Sequence, residues 1–130
     1  MNIKWIAYWL VTGLLGAGML AGGAFDIFGG QKVTEGMARL GYPTYFGNWL
    51  GAWKIAGAIV VLLPGFKVAK EWAYAGFFIN LGSASLAHAM VNDSTGEIVT
   101  PLVGIGIVVA SWYLRPASRK VADLCQKPIN

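Results

Sequence analysis

Four long apolar stretches constrain the fold of this chain more than any other feature of its sequence. They cover residues 5–28, 45–63, 72–91 and 99–114. Each spans or nearly spans the ~30 Å hydrocarbon core of a bilayer, because an α-helix rises ~1.5 Å per residue. The stretches are continuous, whereas the strands of a membrane barrel alternate apolar and polar residues. The pattern therefore predicts an all-α integral membrane protein, built as a four-helix transmembrane bundle.

The composition supports the same class. Of the 130 residues, 56% are hydrophobic and only 12% are charged, against ~25% charged residues in ordinary soluble domains. Short connections between the stretches leave no room for a second core, so residues 1–130 are predicted to form a single transmembrane domain. The first stretch is longer than the apolar region of a signal peptide and is counted as a helix.

The basic residues lie mostly on one side of the predicted membrane. The positive-inside rule therefore predicts that both termini are cytoplasmic. The net charge of +4 needs no nucleic-acid partner, since lipid headgroups and topology account for it. Seven of the ten Lys and Arg residues belong to this side: Lys4, Lys67, Lys70, Arg115, Arg119, Lys120 and Lys127.

The connections and small residues add three expectations. Residues 29–44 repeat apolar side chains at helical spacing, which predicts a short amphipathic helix on the outer surface. Gly18 and Gly22, and likewise Gly47 and Gly51, are four residues apart, a spacing typical of helices in close contact. The single cysteine, Cys125, is placed in the cytoplasmic tail, where no disulfide or thiol relay can form within one chain.

Lys54 is the first candidate for a functional residue. It lies near the middle of the second stretch, where a charge facing lipid costs ~2.5 to 3.5 kcal/mol. Lys54 shares a helical face with Gly47 and Gly51, so it is predicted to point into the bundle. Asp26 lies four residues after Gly22 in the first stretch, so it is predicted to lie on the same tightly packed side of that helix.

His88 lies on the only polar stripe of the third stretch, together with Ser85, Asn80 and Phe77. Counting residues from the outer boundary places His88 and Asp26 in the outer half of the bundle, within reach of the long Lys54 side chain. Two interpretations remain open. Lys54 and Asp26 form an ion pair that fixes helix register beside a neutral His88, or the three groups bind a ligand.

Other chemistries are not supported by the sequence. With one histidine and Cys125 on the far side, neither a zinc site nor a bis-histidine haem site is predicted, and no metal is expected. The phosphate-binding loop, dinucleotide and serine-hydrolase motifs are absent from the sequence. Asp93 and Glu97 are interpreted as residues of a solvated loop, with gating of the outer mouth as the alternative.

Several short segments resemble one protein family. They are residues 40–45 (Leu-Gly-Tyr-Pro-Thr-Tyr), Lys54 followed by Gly57, residues 70–78, and Ala87-His88 followed by Asp93. In this order they resemble the DoxX-like family of small four-helix bacterial membrane proteins. The resemblance implies a multi-pass protein of the bacterial cytoplasmic membrane. It also implies association with membrane redox systems, since the family takes its name from a subunit of a thiosulfate:quinone oxidoreductase.

The leading functional hypothesis is a redox-associated protein that binds a quinone-like or other amphipathic small molecule. Lys54 and His88 would contact its carbonyl groups, and its ring would lie against Trp49, Trp53 and Phe77. Electron transfer would require a redox partner subunit, and no catalytic residue is assigned. Small-solute or proton transport and a structural subunit of a membrane complex are the alternatives. Membrane lipid and a second copy of the chain are further expected partners.

Overall fold

The computed structural model describes residues 2–122 and contains five α-helices. No strand occurs among these residues, so the all-α prediction is confirmed. The predictions for Cys125 and Lys127 concern residues outside the described part of the chain. The helices are α1 (Ile3–Phe28), α2 (Gln31–Arg39), α3 (Thr44–Leu62), α4 (Lys67–Met90) and α5 (Thr95–Leu114), followed by a 3-10 turn at Ala117–Arg119.

Each apolar stretch forms one long helix, and α2 is the short amphipathic helix expected in residues 29–44. All four long helices begin before their apolar stretches, and two of them do so by a full turn or more. α4 begins at Lys67 rather than at residue 72, and α5 begins at Thr95 rather than at residue 99. The polar first turns extend these helices because their backbone hydrogen bonds form regardless of hydropathy. The amides of Glu97 and Ile98, for example, both donate to the carbonyl of Ser94.

The four long helices pack antiparallel, each against two others, in the order α1, α3, α4, α5 and back to α1. Among the described residues, α1 and α5 are long and apolar enough to cross a membrane. In the most apolar part of each helix, only 28% of α1 and 11% of α5 is buried, so most of this apolar surface faces outward. A core helix of a soluble protein would instead be mostly buried.

α1 and α3 touch through their backbones. A Cβ atom on Gly51 would lie 2.6 Å from the carbonyl oxygen of Gly23, and one on Gly23 would lie 2.7 Å from the oxygen of Gly51. The expected contact at Gly47 and Gly51 is confirmed, since both are buried. Gly18 and Gly22 take no part, because a Cβ at either would meet nothing within 4 Å. One residue turns a helix by about 100°, and this rotation makes Gly23 the contact residue.

Buried hydroxyl groups connect three of the long helices. Thr12 Oγ1 lies 2.7 Å from Ser111 Oγ, which is itself 2.8 Å from the hydroxyl of Tyr74. All three side chains are buried, next to the apolar core that includes Phe77 and Val108. Because each hydroxyl has a partner, this network fixes the register of α1, α4 and α5 without unpaired polar atoms.

The two ends of the helix packing differ in charge. We call them the His88 end, where α1 and α4 finish, and the Arg115 end, where α5 finishes. At the Arg115 end, cations cap α3: Lys70 donates to the carbonyl of Val60 at 2.5 Å and to that of Leu63. Arg119 donates to the carbonyls of Val61 at 3.1 Å and Leu63 at 3.2 Å. The final carbonyls of a helix lack partners within it, so these donors stabilise the end of α3.

Replacing Arg119 with methionine is expected to lower the free energy of unfolding by about 1.5 to 3 kcal/mol, because charged donors to the carbonyls at the end of α3 are lost. The substitution also removes the contact of the guanidinium with the Trp9 ring, whose centroid lies 4.7 Å away. Denaturation in mild detergent measures the effect. Lys4→Met, which removes an exposed charge at the same end, should change stability by less than about 0.5 kcal/mol. Equal losses in both variants would contradict the capping role.

Candidate ligand-binding cavity

A cavity of about 600 Å³ lies between α3 and α4, and we call it the α3–α4 cavity. Met37 of α2 and Leu40 and Tyr42 of the following connection close part of it. Its volume falls within the ~300 to 1,000 Å³ typical of small-molecule sites. Its walls are mainly apolar and aromatic, and four of its polar lining residues were also predicted as site residues from the sequence. These four are Asp26, Lys54, Asn80 and His88.

Lys54 and Asp26 form an ion pair at the cavity wall. Lys54 Nζ lies 2.6 Å from Asp26 Oδ2, and the two side chains are 20% and 12% exposed. The close contact of Gly23 with Gly51 makes the pair possible, because it brings the backbones of α1 and α3 together one turn away. The charges therefore neutralise one another while both residues still line the cavity.

His88 forms a second polar pair with Asp93. Its Nδ1 atom lies 2.6 Å from Asp93 Oδ2. Arg39 at the end of α2 binds the other oxygen of Asp93, and its Nη2 lies 3.7 Å from Glu97. Asp93 lies in the loop between α4 and α5, as predicted, but its side chain is only 9% exposed, against His88 and Arg39. Glu97 is about half exposed, in the first turn of α5.

The turn after α4 explains why Asp93 reaches His88. Asn92 adopts a left-handed conformation with φ of 55°, and its amide donates to the carbonyl of Ala89. The amide of Asp93 donates to the carbonyl of His88 at 3.0 Å. These two bonds form a Schellman cap, which folds the chain back onto the last turn of the helix. An asparagine directly after the apolar run, followed by an aspartate, is the sequence signal that could have identified Asp93.

The surroundings of Asp93 favour its ionised form. The hydrogen bond from His88 lowers the pKa of Asp93 below its ordinary value of 3.8, and the charge of Arg39 lowers it further. Desolvation acts in the opposite direction but is outweighed. Asp93 is therefore a carboxylate at neutral pH, able to accept hydrogen bonds from His88 and Arg39 at once.

Acid is expected to release α2 from the α4–α5 connection. Because the folded-state pKa of Asp93 is lowered, its contribution is complete above pH 3.8 and is lost as the pH falls through the lowered value. A spin label at residue 32, placed in a Cys125→Ser background, should become mobile in this acidic range. In Asp93→Asn the label should be mobile already at neutral pH, with no acidic step. A label that behaves alike in both proteins would contradict the prediction.

Most of the predicted site residues line the α3–α4 cavity, and two do not. Lys54, Asp26, His88, Asn80, Trp53 and Phe77 all lie on its wall. Ser85 lies outside, buried against α5, where its hydroxyl donates to the carbonyl of Ile98 at 2.8 Å. Trp49 also lies outside: it is 57% exposed and packs edge to face on Trp53 at 5.6 Å. Ser85 follows the cavity residue Ala84, and a rotation of about 100° points it away.

One group among the described residues brings potential metal ligands together. Donor atoms of His88, Asp93 and Glu97 lie within 4.8 Å of one another. A nitrogen with two carboxylates suits several divalent metals, although it is not one of the zinc or haem sets considered from the sequence. Arg39 contacts both carboxylates, so a cation would have to displace its guanidinium. The absence of a metal site stays a prediction.

The fold and the cavity define an all-α protein with two membrane-length apolar helices and a cavity that combines aromatic walls with ionisable groups. The sequence model of the DoxX-like family matches residues 10–111. The chain belongs to the DoxX-like family, as its sequence resemblance indicated. Family membership and the two apolar helices together point to a membrane protein. No curated protein and no solved structure matches the chain significantly.

Proposed function

We propose that this chain is a redox-associated membrane protein that binds a quinone-like or other amphipathic small molecule in the α3–α4 cavity. The observation that carries the proposal is the cavity itself, with its aromatic walls and its group of ionisable residues. An amphiphile needs apolar contact for its ring or tail and hydrogen-bond donors for its oxygens. Both requirements are met within one volume of about 600 Å³.

The polar groups suit a carbonyl-bearing ring. The Lys54 ammonium remains a donor while it pairs with Asp26, because it carries three hydrogens. Asn80 offers an amide, and His88 offers a ring nitrogen, so a ligand oxygen could meet a partner on either helix. Trp53 and Phe77 would contact the ring. In this proposal a redox partner subunit supplies or removes electrons, and the present chain holds the small molecule.

The proposed membrane arrangement is a four-helix transmembrane bundle in the bacterial cytoplasmic membrane. α1, α3, α4 and α5 would span the bilayer, with the span of α4 over residues 72–91 and α2 on the outer surface. The Arg115 end would face the cytoplasm, where basic residues are retained. Exposed apolar side chains on α1 and α5, such as Leu10, Leu14 and Val103, would contact lipid. Association of two or more copies is compatible with this arrangement.

The Lys54–Asp26 ion pair favours a second candidate function. A 2.6 Å contact between two largely buried charges fixes the register of α1 against α3, as expected for a structural or assembly subunit. A transporter would instead open and close the same pair during its cycle. Both alternatives differ from the main proposal in requiring no retained amphiphile.

Identification of the retained molecule tests the proposal. We expect wild-type protein purified in mild detergent to release an amphiphile, in near-equal molar amount, on extraction with organic solvent and mass spectrometry. Lys54→Met combined with Asp26→Leu should lose it without leaving an unpaired charge. Lys32→Met, which removes an exposed charge of α2, is the matched control and should retain it. Bulk lipid alone in all three proteins would contradict the binding function.

A further inference from the structure

His88 is the single histidine of the chain, and its Nδ1 atom forms a hydrogen bond with Asp93. Asp93 is itself held on two sides. Its second oxygen binds Arg39, and its backbone amide donates to the carbonyl of His88. A carboxylate beside a guanidinium is an acceptor and has no hydrogen to donate. The hydrogen of the His88–Asp93 bond therefore belongs to Nδ1.

This assignment determines the chemistry of the other ring nitrogen. When Nδ1 of a neutral imidazole carries the hydrogen, Nε2 carries a lone pair and accepts hydrogen bonds. Nε2 of His88 has no hydrogen-bond partner among the described residues, and the side chain lines the α3–α4 cavity. Lys54, on the facing helix, can only donate. The cavity thus has an acceptor on α4 and a donor on α3.

We propose that Asp93 is a positioning residue that fixes His88 in the Nδ1–H form, so that Nε2 accepts a hydrogen bond from a hydroxyl group of the ligand. The ligand class is then an amphiphile with a phenol-type hydroxyl, such as the reduced form of a quinone, rather than one with carbonyl oxygens alone. This inference rests on the proposed function, because it concerns the ligand of the same cavity.

The groups around His88 leave Asp93 as its single acidic partner in the described chain. Glu97 is about half exposed, and its carboxylate lies within 4.8 Å of His88 without a hydrogen bond to the imidazole, while its ion pair is with Arg39. Arg39 balances the charge of Asp93. Replacing Glu97 should leave the hydrogen bond of Nδ1 to Asp93 in place, which makes Glu97→Gln a matched control for Asp93→Asn.

Nitrogen NMR of ¹⁵N-histidine-labelled protein tests the positioning role directly. The protein must carry an affinity tag without histidines, so that every signal comes from His88. At alkaline pH, where the imidazole is neutral, wild type and Glu97→Gln should show the Nδ1–H form. In Asp93→Asn the amide can donate to Nδ1, as in an aspartate-to-asparagine change of a catalytic triad, so the hydrogen should move to Nε2. An Nε2–H form in wild type, or no change in Asp93→Asn, would overturn the inference.

Binding of para-nonylphenol and of its methyl ether tests the ligand class. Wild type and Glu97→Gln should prefer the phenol by about five- to tenfold, the worth of one hydrogen bond. In Asp93→Asn the preference should fall below about twofold. Equal binding of both probes to wild type would overturn the hydroxyl specificity. If neither probe binds although the Nδ1–H form is observed, the proposed function fails while the positioning of His88 by Asp93 stands.

Discussion

Lys54→Met is expected to lower the free energy of unfolding by about 2 to 4 kcal/mol and to abolish amphiphile binding. The substitution removes one partner of a largely buried ion pair and leaves Asp26 without its 2.6 Å contact. Breaking a fully buried pair costs ~3 to 5 kcal/mol, and the partial exposure of both side chains reduces this figure. Unfolding in mild detergent and binding of a decyl-substituted hydroquinone measure the two effects separately.

The double variant Lys54→Met with Asp26→Leu separates stability from binding. Replacing both charges with apolar groups of similar size is often neutral or stabilising, so stability should return to near the wild-type value. Binding should not return, because the donor in the cavity is still missing. Recovery of binding in the double variant would show that Lys54 has only a structural role. Continued instability of the double variant would show that the loss of stability in Lys54→Met does not come from the unpaired charge of Asp26.

Gly51→Ala is expected to lower stability by about 2 to 3 kcal/mol, although alanine favours helix by ~1 kcal/mol over glycine. The new methyl group would lie 2.6 Å from the carbonyl oxygen of Gly23 and 3.0 Å from Cβ of Asp26. α1 and α3 would have to separate, because a backbone carbonyl cannot rotate away as a flexible side chain can. The separation would also stretch the Lys54–Asp26 pair and weaken ligand binding.

Gly18→Ala is the matched control for this prediction. Gly18 lies in the middle of α1, and a Cβ there meets nothing within 4 Å. The same methyl group should therefore leave stability unchanged or raise it by up to ~1 kcal/mol. Thermal unfolding of both variants in one detergent gives the comparison. Similar changes at the two positions would mean that the contact of Gly23 with Gly51 does not hold the helices together.

Hydropathy and helical spacing predicted much of the architecture. The long helices follow from apolar runs, since a helix satisfies its own backbone in any surroundings. The proximity of Asp26 to Lys54 was also predicted, because each lies near the small residues that bring α1 and α3 together. Spacing was less reliable for the exact helix face, and the contact glycine proved to be Gly23 rather than Gly22.

Other features depended on geometry that no periodic pattern contains. Asp93 reaches His88 through the left-handed conformation of Asn92, which is a property of one turn. Lys70 lies outside the apolar stretch of residues 72–91, yet it is fully buried, with carbonyl groups at the end of α3 as partners. In both cases a polar side chain has hydrogen-bond partners that hydropathy cannot detect.

Filling the α3–α4 cavity tests the central claim most directly. Ala84 lines the cavity and Ala89 is an exposed residue of the same helix outside it, so Ala84→Trp and Ala89→Trp add the same bulk in different places. Titration with a decyl-substituted hydroquinone gives the affinity, and unfolding in the same detergent verifies that both variants are folded. The account predicts that folded Ala84→Trp loses binding and that Ala89→Trp binds as wild type does. Undiminished binding to Ala84→Trp would contradict the account, because the ligand would then occupy another part of the protein.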